Sequence, residues 1–396
     1  MTITHDPEGY RNGRTEGYQK GREEGYRKGL QAARDARSSA PAAPLLGEIS
    51  LRWRELGCAE RIGACLGSRI VLRDHEMACL KETINSAVWQ LTIERDGRTE
   101  PLILKIFKAP ITGSDLVELS MYRYATPLLG ELMPDIYLVE TPPEGGDAWV
   151  FMEYVPQLKG QLIFTPDHFE RIVPSLARLH ALTHNERLAP YRQQFAEWLP
   201  IYKSERGIAE RKRVNEEMLV YLDQAMEQPA LAERLKADEA MLRKVLAKGP
   251  DYFPELLEAG LSITHNDLQT PNIGCYDAAE AEWRIKLLDW EGARFAPCWF
   301  DLFNLIGVFF AYRRDWRKDE EAVVQRVSHL YASEMERRGI FFKEDPVRLY
   351  KMAYVQRVLE RSLHLQLQWG VHGTKPARLL ETYVGKVKTW GKALGL

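Results

Sequence analysis

The chain has 396 residues, 45% hydrophobic and 28% charged, with a formal net charge of -2. This composition is typical of a globular protein long enough for two domains, and it gives no electrostatic case for nucleic-acid binding, which normally needs a basic face. Its five cysteines form no Cys-x-x-Cys pair and its first residues lack the apolar run of a signal peptide. We therefore predict a cytoplasmic protein with reduced thiols, no zinc site and no membrane span.

The first 44 residues contain a repeat in which glycine occupies every fourth position of residues 8–30. The glycines stand at Gly9, Gly13, Gly17, Gly21, Gly25 and Gly29. A glycine stripe permits close approach of a second helix, but each interior glycine lowers helix stability by about 1 kcal/mol. We predict either a solvated tail or a helix that forms with a partner or a second copy, followed by a Ser/Ala/Pro linker.

Residues 45–155 have the pattern of an antiparallel sheet with one helix. Short apolar or alternating runs at 68–72, 87–93, 102–107 and 149–155 are separated by polar turns. Lys105 lies within an apolar run, and the helical segment 114–129 carries Glu118 and Tyr122 on one face. We predict that this region is a separate folded lobe.

Residues 156–396 show helical periodicity around one polar loop. The predicted helices cover 169–184, 195–221, 229–248, 322–338 and 347–368. Between them, two apolar strands flank the loop 263–273 and lead to the run 285–291. We predict a larger, mostly helical lobe that contains this loop.

The loop delivers Asp267, Asn272 and Asp289 to one side of the two strands. Phosphoryl transfer to a hydroxyl needs a carboxylate that orients the hydroxyl, and oxygen ligands that hold Mg²⁺ against ATP. These three residues supply both requirements. As turn-capping residues they would have a purely structural role instead.

His265-Asn266-Asp267, Asn272, Asp289-Trp290-Glu291 and Phe300-Asp301-Leu302 follow in an order that resembles the aminoglycoside phosphotransferase and choline kinase superfamily. The resemblance covers about residues 60 to 310. It implies an α+β, two-lobed protein-kinase-like fold. It also implies an ATP- and Mg²⁺-dependent phosphotransferase with a small-molecule hydroxyl as acceptor, such as an amino alcohol, an aminoglycoside or a sugar.

The resemblance implies a role for each motif residue of the loop region. Asp267 would align the acceptor hydroxyl, and His265 would brace the loop. Asn272 and Asp289 would hold magnesium, and Glu291 would support a second ion or orient the substrate. Asp301 would accept backbone amides of the catalytic loop.

The resemblance also implies the nucleotide contacts. Lys105 would pair with the phosphates and Glu118, or alternatively Asp115, would fix that lysine. Backbone groups of Glu153, Tyr154 and Val155 would read the adenine edge. The turn 80–86, which contains Ser86, lacks the glycines usual in the family, and ATP and GTP both stay open as the nucleotide.

For the acceptor, we consider a cation–π cage of aromatic side chains around an amine. Its candidates are Trp299, Tyr312, Trp316, Tyr354 and Trp369, and Glu334, Glu360 and Glu381 are the candidate acids for an aminated substrate. Core packing is the other explanation for the aromatics.

Two further hypotheses compete with the small-molecule kinase. One is a kinase-like scaffold, of the spore-coat or regulatory kind, that self-associates or binds a protein through residues 8–30. The other is a kinase that acts on a protein or peptide.

Overall fold

The computed structural model describes residues 43–142 and 145–396, so the glycine repeat lies outside the described residues. Two compact units divide the described chain. The sheet unit comprises the residues up to Asp115 together with Pro134–Ile163 and Cys275–Ala279, and the helical unit comprises Leu116–Met133, Phe164–Gly274 and Glu280–Leu396. The division differs from a single boundary after residue 155, because the segment Leu116–Met133 belongs to the helical unit.

The sheet unit consists of two helices and a six-stranded antiparallel sheet. The helices are α1 (Ala43–Glu55) and α2 (Cys58–Leu66), and the strands are β1 (Ile70–Leu72), β2 (Ala78–Glu82), β3 (Ser86–Arg95), β4 (Arg98–Phe107), β5 (Ile136–Glu140) and β6 (Ala148–Glu153). The strand order is β1-β3-β4-β6-β5, with β2 paired to the first half of β3. Strands β3 and β4 are joined by a tight turn at Asp96 and Gly97, both with positive φ.

Alternating burial along β3 shows which face of the sheet packs on the helices. Trp89 and Leu91 are buried in a hydrophobic cluster with Trp53 of α1 and Ile62 of α2. Side chains alternate along a strand, and Leu104 and Ile106 of β4 belong to the same cluster. Lys105 therefore faces the opposite side of the sheet.

The helical unit contains α-helices interspersed with two short strand pairs. The segment Gly113–Ser120 forms α3, of which Leu116 onward belongs to this unit; the later helices are α4 (Thr126–Leu129), α5 (Phe169–Thr183), α6 (Arg192–Ala196), α7 (Glu205–Glu227), α8 (Pro229–Leu235), α9 (Glu239–Leu246), α10 (Glu255–Glu258), α11 (Phe300–Leu302), α12 (Val308–Tyr312), α13 (Glu320–Glu336), α14 (Pro346–Arg357), α15 (Leu363–His372) and α16 (Leu380–Lys386). The short strands are β7 (Leu261–Thr264), β8 (Ile273–Cys275), β9 (Ile285–Leu287) and β10 (Arg294–Pro297). The predicted α+β fold class is confirmed.

Strands β7 and β10 pair antiparallel, and β8 pairs with β9. All four residues of β7 are buried, and α5 packs against this strand. The two strand pairs thus give the loop after β7 and the turn after β9 a rigid support.

Two further sequence expectations concern thiols and membranes. All five cysteines are free, and Cys58, Cys275 and Cys298 are buried. None of the helices in residues 43–142 and 145–396 is long and apolar enough to cross a bilayer.

Candidate active site

The loop after β7 is held by the carboxylate of Asp301. The backbone N–H of His265 donates to Asp301 Oδ2 at 2.7 Å, and the N–H of Asn266 donates to Oδ1 at 2.6 Å. Asn266 has a φ of 63°, in the left-handed region that non-glycine residues rarely adopt. Asp301 thereby fixes a strained turn immediately before Asp267, which is the position predicted for it.

Asp301 is itself supported by a buried histidine. His180 Nε2 lies 3.2 Å from Asp301 Oδ2, and His180 Nδ1 lies 2.7 Å from the Tyr331 hydroxyl. Burial opposes ionisation of Asp301, but the His180 hydrogen bond and charge, with the amide of Asn266, lower its pKa below the ordinary value. Asp301 is therefore held as a carboxylate.

His265 links the catalytic loop to the segment after β9. Its Nε2 lies 2.8 Å from the carbonyl oxygen of Leu288, so this nitrogen carries the proton and donates. Its ring lies 4.8 Å from that of Trp290, whose Nε1 donates to the Leu287 carbonyl oxygen at 2.9 Å. These contacts match a bracing role.

The carboxylate of Asp267 is oriented by two amide side chains. Gln269 Nε2 donates to Oδ1 at 2.8 Å, and Asn272 Nδ2 donates to Oδ2 at 3.0 Å and to the Asp267 carbonyl oxygen at 2.9 Å. A carboxylate oxygen accepts more than one hydrogen bond, so Asp267 retains capacity for a hydroxyl. The sequence analysis missed Gln269, because no motif marks a glutamine two residues after the aspartate.

Asp289 directly follows strand β9 and has φ 63° and ψ 67°, again in the left-handed region. Near it, the Tyr122 hydroxyl donates to Glu118 Oε1 at 2.6 Å, and Glu118 is 1% exposed. Burial and the Glu118 carboxylate raise the pKa of Tyr122 well above its ordinary value, and the Asp289 carboxylate acts in the same direction. Glu118 is thus a buried acid close to Asp289 and not a solvated one at a helix start.

Asn272 and Asp289 offer oxygens suited to magnesium. The Asn272 nitrogen is bound to Asp267, which leaves Oδ1 as its free coordinating atom. Nowhere in the described parts of the chain do three or more His, Cys, Asp or Glu side chains form a metal-holding group. A magnesium ion here would complete its octahedral shell with phosphate oxygens and water. Glu291 is exposed two residues after Asp289.

Within the sheet unit, Lys105 is buried at 8% exposure, and its Nζ lies 5.3 Å from the centre of the Phe107 ring. Its Cα is paired with Val88 of β3 and Val150 of β6, in the middle of the sheet. The predicted phosphate lysine is therefore held in place by central strands and is not a solvated side chain.

The turn between β2 and β3 is closed by its own side chains. Thr83 Oγ1 accepts the backbone N–H groups of Asn85 and Ser86 at 3.3 and 3.0 Å. It also lies 3.2 Å from Ser86 Oγ. These contacts occupy the groups predicted to meet phosphate, so the turn does not present a ready anion nest.

At the end of β6, the backbone N–H of Glu153 donates to the Asp135 carbonyl oxygen at 2.9 Å. Its carboxylate accepts the Tyr276 hydroxyl at 2.6 Å. The prediction that the Glu153 N–H reads adenine is thereby corrected, since that donor is already used. Tyr154, which is half-buried, and Val155 keep the predicted role.

The four aromatic side chains predicted for the acceptor do not form a cage. Trp299 is fully buried and packs on the rings of Tyr331 and Phe342 at 4.9 and 5.1 Å, so it is not accessible to a ligand. Tyr312 is 67% exposed, and Trp316 is half-buried. Trp369 has the ammonium of Lys375 5.1 Å from its ring centre.

The acids predicted for an aminated substrate are paired with protein cations. Glu334 binds Arg337 and Arg338, and Glu381 binds Arg234. Glu360 binds Arg357. A buried or paired carboxylate offers little to a cationic ligand, which corrects this part of the acceptor prediction.

The model of a phosphotransferase enzyme family matches residues 80–341. The fold is similar to that of Plasmodium vivax ethanolamine kinase, at 15% identity and a TM-score of 0.47, over 82% of each chain. It is also similar to the GDP complex of aminoglycoside 2'-phosphotransferase-IIIa, at 14% identity and a TM-score of 0.44, over 85% of this chain and 97% of that one. A spectinomycin phosphotransferase with ADP and spectinomycin gives 12% identity and a TM-score of 0.43, over 78% of this chain and 93% of that one. No curated protein sequence matches the chain.

Proposed function

The chain belongs to the phosphotransferase enzyme family, and on that premise we propose that it transfers the γ-phosphate of ATP, with Mg²⁺, to a hydroxyl group of a small molecule. The observation that carries the proposal is the geometry of Asp267. Gln269 and Asn272 hold both of its carboxylate oxygens, and Asp301 fixes the two residues before it. An aspartate oriented in this way is suited to align a nucleophile.

In the proposed reaction the acceptor hydroxyl donates its hydrogen bond to Asp267. The acceptor oxygen then forms a bond to the γ-phosphorus while the bond from that phosphorus to the ADP oxygen breaks. The proton passes to Asp267 late in this step, because the transition state of phosphoryl transfer is loose. The main contribution of Asp267 is alignment, and no covalent enzyme intermediate is needed.

Asn272 and Asp289 are the residues that would hold magnesium, which when bound neutralises charge on the phosphate oxygens. Gln269 and Asn272 keep Asp267 from rotating away from the acceptor. His265 and Trp290 keep the turn that contains Asp289 against the catalytic loop. Lys105, with Glu118 as its predicted partner, would hold the nucleotide phosphates.

The acceptor classes predicted from the sequence are amino alcohols, aminoglycosides and sugars. The test is ADP release by the purified full chain with ATP, Mg²⁺ and a panel of these compounds, with Asp267→Ala as the control. Acceptor-dependent ADP release that Asp267→Ala abolishes would support the proposal. The absence both of any such turnover and of any thermal shift with nucleotide would refute it.

A further inference from the structure

Three arginines from separate segments of the helical unit converge beside the catalytic loop. Arg294 begins β10, where it is paired with Thr264, the residue immediately before His265. Arg357 ends α14, and Arg361 lies in the π-helical turn Val358–Ser362 that follows. Wide turns of this kind inside helices frequently occur at functional sites.

A single carboxylate, Glu360, links these segments. Arg357 Nη1 donates to Glu360 Oε1, and the Tyr202 hydroxyl donates to Glu360 Oε2 at 2.9 Å. The backbone N–H of Tyr202 donates to the carbonyl oxygen of Phe295, the neighbour of Arg294, at 2.9 Å. Glu360 therefore already has partners on both oxygens and cannot satisfy all three arginines.

Two of the arginines retain buried donors. Arg357 is 2% exposed, and its guanidinium lies 5.1 Å from the centre of the Phe300 ring. The Nε groups of Arg294 and Arg357 are buried and find no hydrogen-bond acceptor among the residues that the structure describes. Buried polar groups of native proteins are normally satisfied, most of all when they are charged. These donors therefore point to a bound partner from outside the chain.

The electrostatics of the cluster indicate a surplus of positive charge. Burial lowers the pKa of Arg294 to about 10, and the Arg357 guanidinium adds to the effect while Glu360 opposes it. Burial and Arg357 also lower the pKa of Arg361, although the carboxylates of Asp267, Glu360 and Glu291 act in the opposite direction. Arg361 is exposed to solvent, so a ligand can reach it. Its response to Asp267 places it within electrostatic reach of the catalytic aspartate.

We propose that the phosphate acceptor is an anion, whose carboxylate or phosphate group is bound by Arg294, Arg357 and Arg361 while its hydroxyl group meets Asp267. This inference rests on the proposed phosphotransferase function and narrows its acceptor. The planar guanidinium group binds these oxyanions through paired hydrogen bonds. Amino alcohols and aminoglycosides are cations and would be repelled here, so of the predicted classes only a sugar-like acceptor in acidic or phosphorylated form fits.

The kinetic test compares acceptors that share a scaffold and differ in charge. Glucosamine, glucose, gluconate and glucose 6-phosphate form one such series, and glycerol and glycerate form another. Turnover confined to the anionic members supports the proposal, and the comparison of gluconate with glucose 6-phosphate separates carboxylate from phosphate recognition. Turnover of a cationic or neutral member at equal or higher kcat/KM contradicts the proposal.

The variant Arg361→Gln tests the residue assignment, because its side chain is exposed and its loss leaves the core intact. We expect the KM for the anionic acceptor to rise at least about tenfold while the KM for ATP stays unchanged. The matched control is Arg192→Gln, which removes an exposed arginine paired only with Glu186. Unchanged acceptor KM in Arg361→Gln would remove this residue from the site.

A binding measurement decides the proposal without turnover. Gluconate or inorganic phosphate is added to the full chain at saturating ADP and Mg²⁺, and the thermal midpoint is followed. We expect both anions, or one of them, to raise the midpoint of the wild type and the Arg192→Gln control but not that of Arg361→Gln. If nucleotide shifts the midpoint and neither anion does, or if the anion shift persists in Arg361→Gln, the anionic acceptor is refuted while the nucleotide-binding part of the proposed function stands.

Discussion

At the scale of single residues, the site depends on one buried carboxylate. Asp301 accepts the two backbone amides that precede Asp267, and His180 and Tyr331 continue the hydrogen-bonded chain into the core. Every group of this chain is buried. The orientation of the catalytic aspartate is therefore coupled to the stability of the helical unit.

Replacing Asp301 with asparagine tests this coupling. The amide nitrogen would face a backbone N–H, so one buried donor would lose its acceptor, and we expect a loss of about 2–4 kcal/mol in the free energy of unfolding. Chemical unfolding at neutral pH measures it, with the exposed Asp74→Asn as the control. A change below about 0.5 kcal/mol would contradict the assigned role.

The same carboxylate predicts a dependence on pH. Because the pKa of Asp301 is lowered in the folded chain from its ordinary value of 3.8, its ionisation stabilises the fold above that value. This stabilisation is lost as the pH falls from about 3.8 through the lower folded pKa. Unfolding curves recorded down this range should converge for the wild type and Asp301→Asn. A constant difference between them would show that Asp301 is not the titrating group.

At the scale of elements, the segment after β9 packs tightly on the catalytic loop. A Cβ added at Gly292 would lie 2.9 Å from the His265 carbonyl oxygen and 3.5 Å from Asp267 Cβ. The first of these neighbours is a backbone atom that cannot rotate away. Glycine at this position thus permits the close approach of the two loops that carry Asp267 and Asp289.

The variant Gly292→Ala should therefore displace Asp267. We expect kcat to fall by about 10² with a smaller effect on the KM for ATP, since misplacement of about 1 Å has this order of effect. Steady-state kinetics with the accepted substrate measures it. The control is Gly385→Ala in α16, where an added Cβ meets nothing within 4 Å, and it should keep full activity with unchanged or higher stability.

The turn between β2 and β3 offers a second test at this scale. Thr83→Ala removes the hydroxyl that accepts the N–H groups of Asn85 and Ser86, so the turn should loosen. We expect the KM for ATP to rise by about threefold to tenfold, whereas Ser86→Ala should change it less than about twofold. A larger effect of Ser86→Ala would restore the direct phosphate contact predicted for this residue.

Local patterns predicted those parts of the fold that depend on near neighbours. The alternation along β3 and β4 and the spacing from His265 to Asn272 are such patterns, and the corresponding strands and loop are present. The helix predicted for 195–221 is instead divided, because Ser204 caps a new helix by accepting the Gly207 N–H at 3.1 Å. The π-helical turn Val358–Ser362 was not predicted, since hydrogen-bond spacing does not show in a hydrophobic pattern.

The remaining site residues required contacts between distant segments. Arg294 and Arg361 are brought together by the pairing of β10 with β7 and by the Tyr202–Glu360 contact. No spacing in the sequence marks these residues. Trp299 was assigned to a ligand cage because aromatic residues suit both cores and binding sites, and only its packing on Tyr331 and Phe342 decides between them.

At the scale of the whole molecule, two compact units carry different parts of the proposed reaction. The helical unit contains Asp267, Asn272, Asp289 and Asp301, and the sheet unit contains Lys105. Nucleotide binding should stabilise the folded chain, because a ligand that binds only the native state shifts the unfolding equilibrium.

Magnesium should strengthen that stabilisation. We expect ADP with Mg²⁺ to raise the thermal midpoint by several degrees, corresponding to about 2–3 kcal/mol at a hundredfold excess over Kd. Excess EDTA, or the variant Asp289→Asn, should remove the part of the shift that depends on magnesium. An identical shift with and without EDTA would argue against a magnesium site at Asn272 and Asp289.

The central claim, that Asp267 aligns the acceptor hydroxyl, is tested most directly by kcat for Asp267→Asn beside the exposed control Asp74→Asn. We predict a loss of at least about 10³ in kcat for Asp267→Asn, with the nucleotide-induced thermal shift retained. The Asp74→Asn control should behave as the wild type. A kcat within about tenfold of the wild type in Asp267→Asn would contradict the assignment of Asp267 as the residue that aligns the acceptor.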